Sequence, residues 1–174
     1  MAEVEVNERR IVVAVDEGEE SMYALSWCLK NVISRDSKDT LILLYAKPPC
    51  SVYPAIDGTG YLFSSDIIAS MKKYRTDVAD CVMEKANNVC KDIPNIKVQT
   101  KVGNGDPRDV ICEVVEKLAA DLLVVGTHGY GFIKRAFLGS VSNHCAQNVK
   151  CPILIVKMPK SVGTSVCSDR SLVS

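Results

Sequence analysis

At 174 residues the chain is long enough for one domain with a substantial core, and its apolar share of 47% lies in the globular range. Its 21 basic and 21 acidic residues cancel, which removes any overall pull toward DNA, RNA or an anionic membrane; no basic run exceeds short pairs such as Lys72-Lys73 and Lys134-Arg135. No stretch approaches the roughly 18 apolar residues of a membrane span, and the acidic start MAEVEVNERR suits neither a signal nor a transit peptide, so a cytoplasmic protein with access to the nucleus open to it is expected.

In chain order, short β-branched runs alternate with longer helical patterns. Arg10–Asp16 (RIVVAVD) is a continuous apolar run closed by an acid, as in a strand buried on both faces. Ser21–Ile33 places Ala24, Leu25, Cys28, Leu29 and Val32 at helical spacing. Thr40–Ala46 (TLILLYA) reads as a second buried strand, ended by Pro48-Pro49. Lys47–Phe63 is rich in proline and glycine and has no period; Ser64 or Ser65 then offers a cap for a helix reaching about Cys90. Asn95–Val102 alternates polar and apolar residues, which suits a strand near a sheet edge. Asp106-Pro107 combines an N-cap with proline at the first helical position, and the helix to about Ala120 turns Val110, Ile111, Val114, Val115 and Leu118 inward. Asp121–Gly126 (DLLVVG) is a fourth buried strand, Gly139–Val149 a helix, and Pro152–Lys157 (PILIVK) a fifth strand.

The order βαβαβαβαβ with buried strands requires right-handed crossovers, so the expected class is α/β: a doubly wound, five-stranded, mostly parallel, Rossmann-like sheet. One domain, residues 9–158, stands between a flexible N-terminus (1–8) and a mobile polar tail (159–174). Eight cysteines are present, but no C-x-x-C, so thioredoxin chemistry and the usual zinc spacings are unsupported. Most sit in apolar patterns and are expected to serve as small reduced hydrophobes; a redox-sensitive thiol is the alternative, with Cys50 and Cys167 the first candidates for exposure.

In open α/β sheets ligands bind beyond the carboxyl ends of the strands, where the strand order reverses. The stretch after the fourth strand, GTHGYGFIKRAFLGSVSNHCA, places Gly126, Gly129 and Gly131 early and Gly139 just before Ser140-Val141-Ser142 and a new helix. Glycines allow a phosphate close to the main chain, and a helix N-terminus offers free N–H groups and a positive dipole end. This is a phosphate cradle built from backbone; the alternative is a loop merely shaped by glycine, with Ser140 as a helix cap. No P-loop motif exists, and the first strand is followed by Asp16-Glu17-Gly18-Glu19-Glu20 rather than by a glycine-rich dinucleotide fingerprint. His128 and His144 have no partner spacing that marks a catalytic or metal site.

The pattern Gly126-x2-Gly129-x9-Gly139-Ser140 resembles the nucleotide-binding signature of the universal stress protein (UspA) family, and VAVDEGEESMYAL, TLILLYAKPP and GDPRDVICEVVEKLAADLLVVGTHG are similar to further parts of it, in wording like that of plant members. The resemblance implies an adenine nucleotide alpha hydrolase-like fold and adenine-nucleotide binding, ATP or AMP. It implies nucleotide-binding residues Ala14, Val15, Asp16, Ala46, Gly126, Thr127, His128, Gly129, Gly139, Ser140, Val141 and Ser142. Ala46 would meet the adenine edge, Val15 would line the base pocket, and Asp16 would face the ribose or base and take Mg²⁺ if a metal is bound. Where the family often carries a hydroxyl two residues after this aspartate, this sequence has Gly18.

No nucleophile with an activating neighbour stands out, so the function expected is a stress-response sensor or regulatory module with at most weak ATPase activity and no assigned catalytic residue. An ATP hydrolase or phosphotransferase, and a nucleotide-free chaperone-like dimer, are the alternatives. The last strand, Pro152, Ile153, Leu154, Ile155 and Val156, is an apolar edge, and the resemblance implies that it pairs with its copy in a homodimer. The aromatic-bearing loop Ser51–Phe63 is a candidate lid.

Overall fold

Five of the apolar runs become strands and the four amphipathic patterns become helices, in the order the sequence sets. The computed structural model describes residues 8–34, 38–49, 65–93, 96–127 and 139–159. Residues 1–7 and 160–174, where a flexible N-terminus and a mobile tail are expected, fall outside these residues, as do Cys50, Cys167 and the candidate lid.

The elements are β1 (Arg10–Ala14), α1 (Glu19–Asn31), β2 (Thr40–Lys47), α2 (Ser65–Cys90), β3 (Lys97–Asn104), α3 (Pro107–Lys117), β4 (Leu122–Thr127), α4 (Ser140–Asn148) and β5 (Ile153–Lys157). The sheet order is β3-β2-β1-β4-β5, and every neighbouring pair is parallel. The chain moves outward from β1 through β2 to β3, then returns past β1 to β4. The order therefore reverses between β1 and β4, and helices cover both faces.

The period of a strand decides which helix each side chain meets. Ile11, Val13, Leu41, Leu43, Tyr45 and Val124 belong to the core under α1 and α2. Val12, Ile42, Leu44, Leu123 and Val125 belong to the core under α3, which includes Cys145 of α4. Interior strands covered on both sides need apolar residues at every position, which is why these runs show no alternation. β3 does alternate, because it is an edge: Lys97, Gln99 and Lys101 stay exposed beside Thr40, Ile42 and Leu44 of β2. Buried cysteines behave as core atoms. Burial pushes the thiols of Cys28 and Cys145 up to about 12 and that of Cys90 to about 11, well away from thiolate chemistry.

Some boundaries differ from the sequence reading for local reasons. β1 stops at Ala14 because the N–H of Asp16 turns to the hydroxyl of Ser21, at 3.0 Å. α3 stops at Lys117 rather than Ala120 because Ala119 adopts a left-handed conformation, φ 46°, in place of the usual glycine. Asp106 caps α3 as expected, accepting from the Arg108 N–H at 2.9 Å, and the Arg108 side chain holds its carboxyl down at about 2. Before it, Gly105 has φ 143°, which a side chain would strain.

The amino ends of the strands are tied by side chains. Asp39, 2% exposed, takes the guanidinium of Arg9 at 3.0 and 2.5 Å, and Asp121 accepts the Arg10 N–H at 2.7 Å. The carboxyl ends, where ligands are expected, are built from turns.

Candidate functional site

The first wall of the cleft is the turn from β1 into α1. Val15 still donates to the Leu44 carbonyl at 2.9 Å, so it is held as if in the strand, while Asp16 leaves the sheet. The Asp16 carboxylate accepts the Gly18 N–H at 2.9 Å, an Asx turn that reverses the chain. The Ser21 hydroxyl closes the turn from the other side, accepting from Asp16 N and lying 3.3 Å from the Asp16 carbonyl and 3.2 Å from that of Gly18. Ser21 thus spends its hydroxyl on the backbone of the turn, including the carbonyl of Gly18. Glu19 and Glu20 follow in the first turn of α1, and Gly18 caps it without a side-chain bond.

The second wall is Gly126 near the end of β4. A Cβ there would lie 2.7 Å from the Glu20 carbonyl oxygen and 3.0 Å from Ser21 N. Glycine is required because the backbone of α1 rests directly on this strand. The third wall is α4. Its N-cap is Gly139, not Ser140, with no side-chain cap and no acid in the first turn. Ser142, buried, donates to the Gly139 carbonyl at 3.0 Å, and Asn143 N reaches the same oxygen at 2.9 Å. The amides of Ser140, Val141 and Ser142 have no acceptor within their own helix, as in any first turn.

Ala14, Val15, Asp16, Ala46, Gly126, Gly139, Ser140, Val141 and Ser142 line one cleft of about 230 Å³. Thr127 is buried at the end of β4, in register with Lys157, and is not among the lining residues. His128 and Gly129, with Gly131, Lys134 and Arg135, lie outside the described residues. Ser21, Tyr45 and Glu17, with Pro107 and Ile111 of α3, also line the cleft, and no sequence motif marks them. The Tyr45 hydroxyl donates to Glu17 at 2.7 Å; burial, with the carboxylate beside it, holds this phenol well above its ordinary range. His144, half-buried on α4, is not among the lining residues.

The chemistry of this donor set fits a nucleotide. Backbone donors and the Ser140 hydroxyl stand at the α4 end, and Val15, Ala46 and Pro48 form an apolar end suited to a base. Among the described residues no cluster of three or more His, Cys, Asp or Glu side chains could hold a metal ion, and no helix is long and apolar enough to cross a membrane.

A sequence profile of the universal stress protein family matches residues 8–157. The chain belongs to that family. It is similar to the universal stress protein A-like protein of Arabidopsis thaliana, 29% identical over 141 residues that cover 77% of this chain and 76% of the relative. Among solved structures, a universal stress protein family protein from Arabidopsis thaliana with AMP bound has a TM-score of 0.64 at 22% identity, covering 87% of this chain and 93% of that one. At that identity the likeness is one of fold. A universal stress protein in complex with cAMP has a TM-score of 0.57 at 26% identity, covering 85% and 95%.

Proposed function

We propose that this universal stress protein binds an adenine nucleotide, AMP or ATP, in the cleft between β1 and β4, and acts as a stress-response sensing module. The observation that carries the reading is the start of α4: a helix opening on glycine, without a side-chain cap or an acid, into a cleft with an apolar far end. The amides of Ser140, Val141 and Ser142 hold the phosphates, and Thr127, His128 and Gly129 belong to the same binding set. Gly126 lies against the sugar, Asp16 faces the ribose or base, and Val15 and the backbone of Ala46 meet the adenine. Asp16 would also take Mg²⁺ when the ligand is a triphosphate. The AMP and cAMP held by structural neighbours support the ligand class.

In the described part of the cleft the Ser21 and Ser142 hydroxyls donate to backbone carbonyls rather than to a base, so turnover is slow at most and occupancy itself is the signal. The apolar edge strand β5 supports a homodimer through Pro152–Val156, since among the described residues no strand lies on its outer side in the sheet. Calorimetry with AMP and ATP, and mass spectrometry of what co-purifies, test the binding. Heat of binding and a bound adenylate are expected; their absence would reject it in favour of a nucleotide-free dimer. Fast hydrolysis lost in Asp16→Ala would instead make the protein a hydrolase. Ile153→Lys is expected to turn a sedimenting dimer into a monomer.

A further inference from the structure

The cleft does not end at Ala46. A second depression of about 610 Å³ opens beside it, walled by Lys47, Pro49, Met71, Tyr74, Arg75 and Val78. Glu17, Tyr45 and Pro48 line both hollows, so the Tyr45–Glu17 hydrogen bond lies on a low ridge between them. The floor beyond the ridge is apolar and open. α2 presents Met71, Tyr74 and Val78 at spacings of three and four, one helical face, and Met71 and Tyr74 are 43% and 70% exposed. A thioether, a phenol ring and a neighbouring guanidinium are the groups that receive a flat aromatic ring.

Strand order sets what reaches this floor. α4 follows β4, and β2 lies two strands away across β1, roughly 10 Å at the usual strand spacing. Phosphates held at α4 therefore send the base toward Ala46 and Pro48. The adenine atoms farthest from the glycosidic nitrogen are N1, C2 and the exocyclic amine. Of these, the amine carries a single substituent and still keeps one N–H.

We propose that the two hollows form one bipartite site, whose preferred ligand is an adenine nucleotide bearing an aromatic group on its exocyclic amine, seated across the Glu17–Tyr45 ridge on Met71 and Tyr74. The inference rests on the nucleotide reading above and names the ligand class of that site. The test is calorimetry of the full chain with AMP and with AMP benzylated on the exocyclic amine, for wild type, Tyr74→Ala and Met71→Ser. Both side chains are exposed, so their loss leaves the core intact. The benzylated nucleotide is expected to bind about tenfold tighter than AMP, with the advantage falling severalfold in each variant while AMP affinity holds. If AMP binds and the benzylated form binds no better, or its advantage survives both substitutions, the bipartite site is wrong. If neither binds, the nucleotide reading fails and this inference with it.

Discussion

The first turns of α1 and α4 open onto the same cleft, each from a glycine cap without a side-chain bond, and they differ in what they offer a ligand. α1 carries Glu19 and Glu20 in its first turn, just after Asp16 and Glu17, and its turn is already closed by Asp16 and Ser21. α4 carries serine, valine and serine, and no acid. A charge at a helix terminus is worth about 0.3–1 kcal/mol, so two acids suffice to decide which helix takes an anion. Backbone geometry offers both helix starts to an anion, and the acids of α1 disfavour one of them, which is why the proposed phosphate site lies at α4.

The comparison breaks first at Gly126, where both helices depend on one strand. Gly126→Ala pushes a Cβ into the Glu20 backbone and is expected to cost about 3 kcal/mol, a fall in Tm of roughly 8 °C, with weakened nucleotide binding. An unchanged Tm would mean that α1 does not rest on β4. Ser140→Asp gives α4 the character of α1: nucleotide affinity should drop by about tenfold or more, while stability rises slightly because an acid suits a helix start. Parallel losses in calorimetry and thermal unfolding would show that the serine serves the fold instead. The smallest effect is the reverse exchange. Glu19→Gln with Glu20→Gln should tighten binding by about two- to threefold, more for ATP than AMP, and the gain should fade with salt. A gain indifferent to salt and to phosphate number would refute the electrostatic account.

Most of the fold was legible because burial on two faces writes itself into local runs such as TLILLYA, and an edge writes itself as the alternation of β3. The start of α4 was legible for the same reason, through Gly139 and the apolar spacing after it. Features that join distant residues were not. The Arg9–Asp39 pair spans 30 residues and Tyr45–Glu17 spans 28, and no periodicity encodes either. The glycine spacing marks Gly126 for a ligand, whereas its demonstrated constraint is the backbone of α1. Ser21 carries no sequence signal because a serine in a first turn is ordinary; its value appears only once Asp16 folds back upon it.

The reversal of strand order also fixes when the cleft comes into being. β1 is made first yet occupies the middle of the sheet, and 111 residues separate Arg10 from its partner Asp121 on the far flank. During synthesis β1, β2 and β3 can assemble with one flank bare, and α4 arrives later still. Pairings this remote make folding slow and leave that flank open to misassembly meanwhile. A ligand of the cleft finds its walls only in a finished domain, so it stabilises the completed fold and no partial one. Occupancy would then certify that a chain has matured.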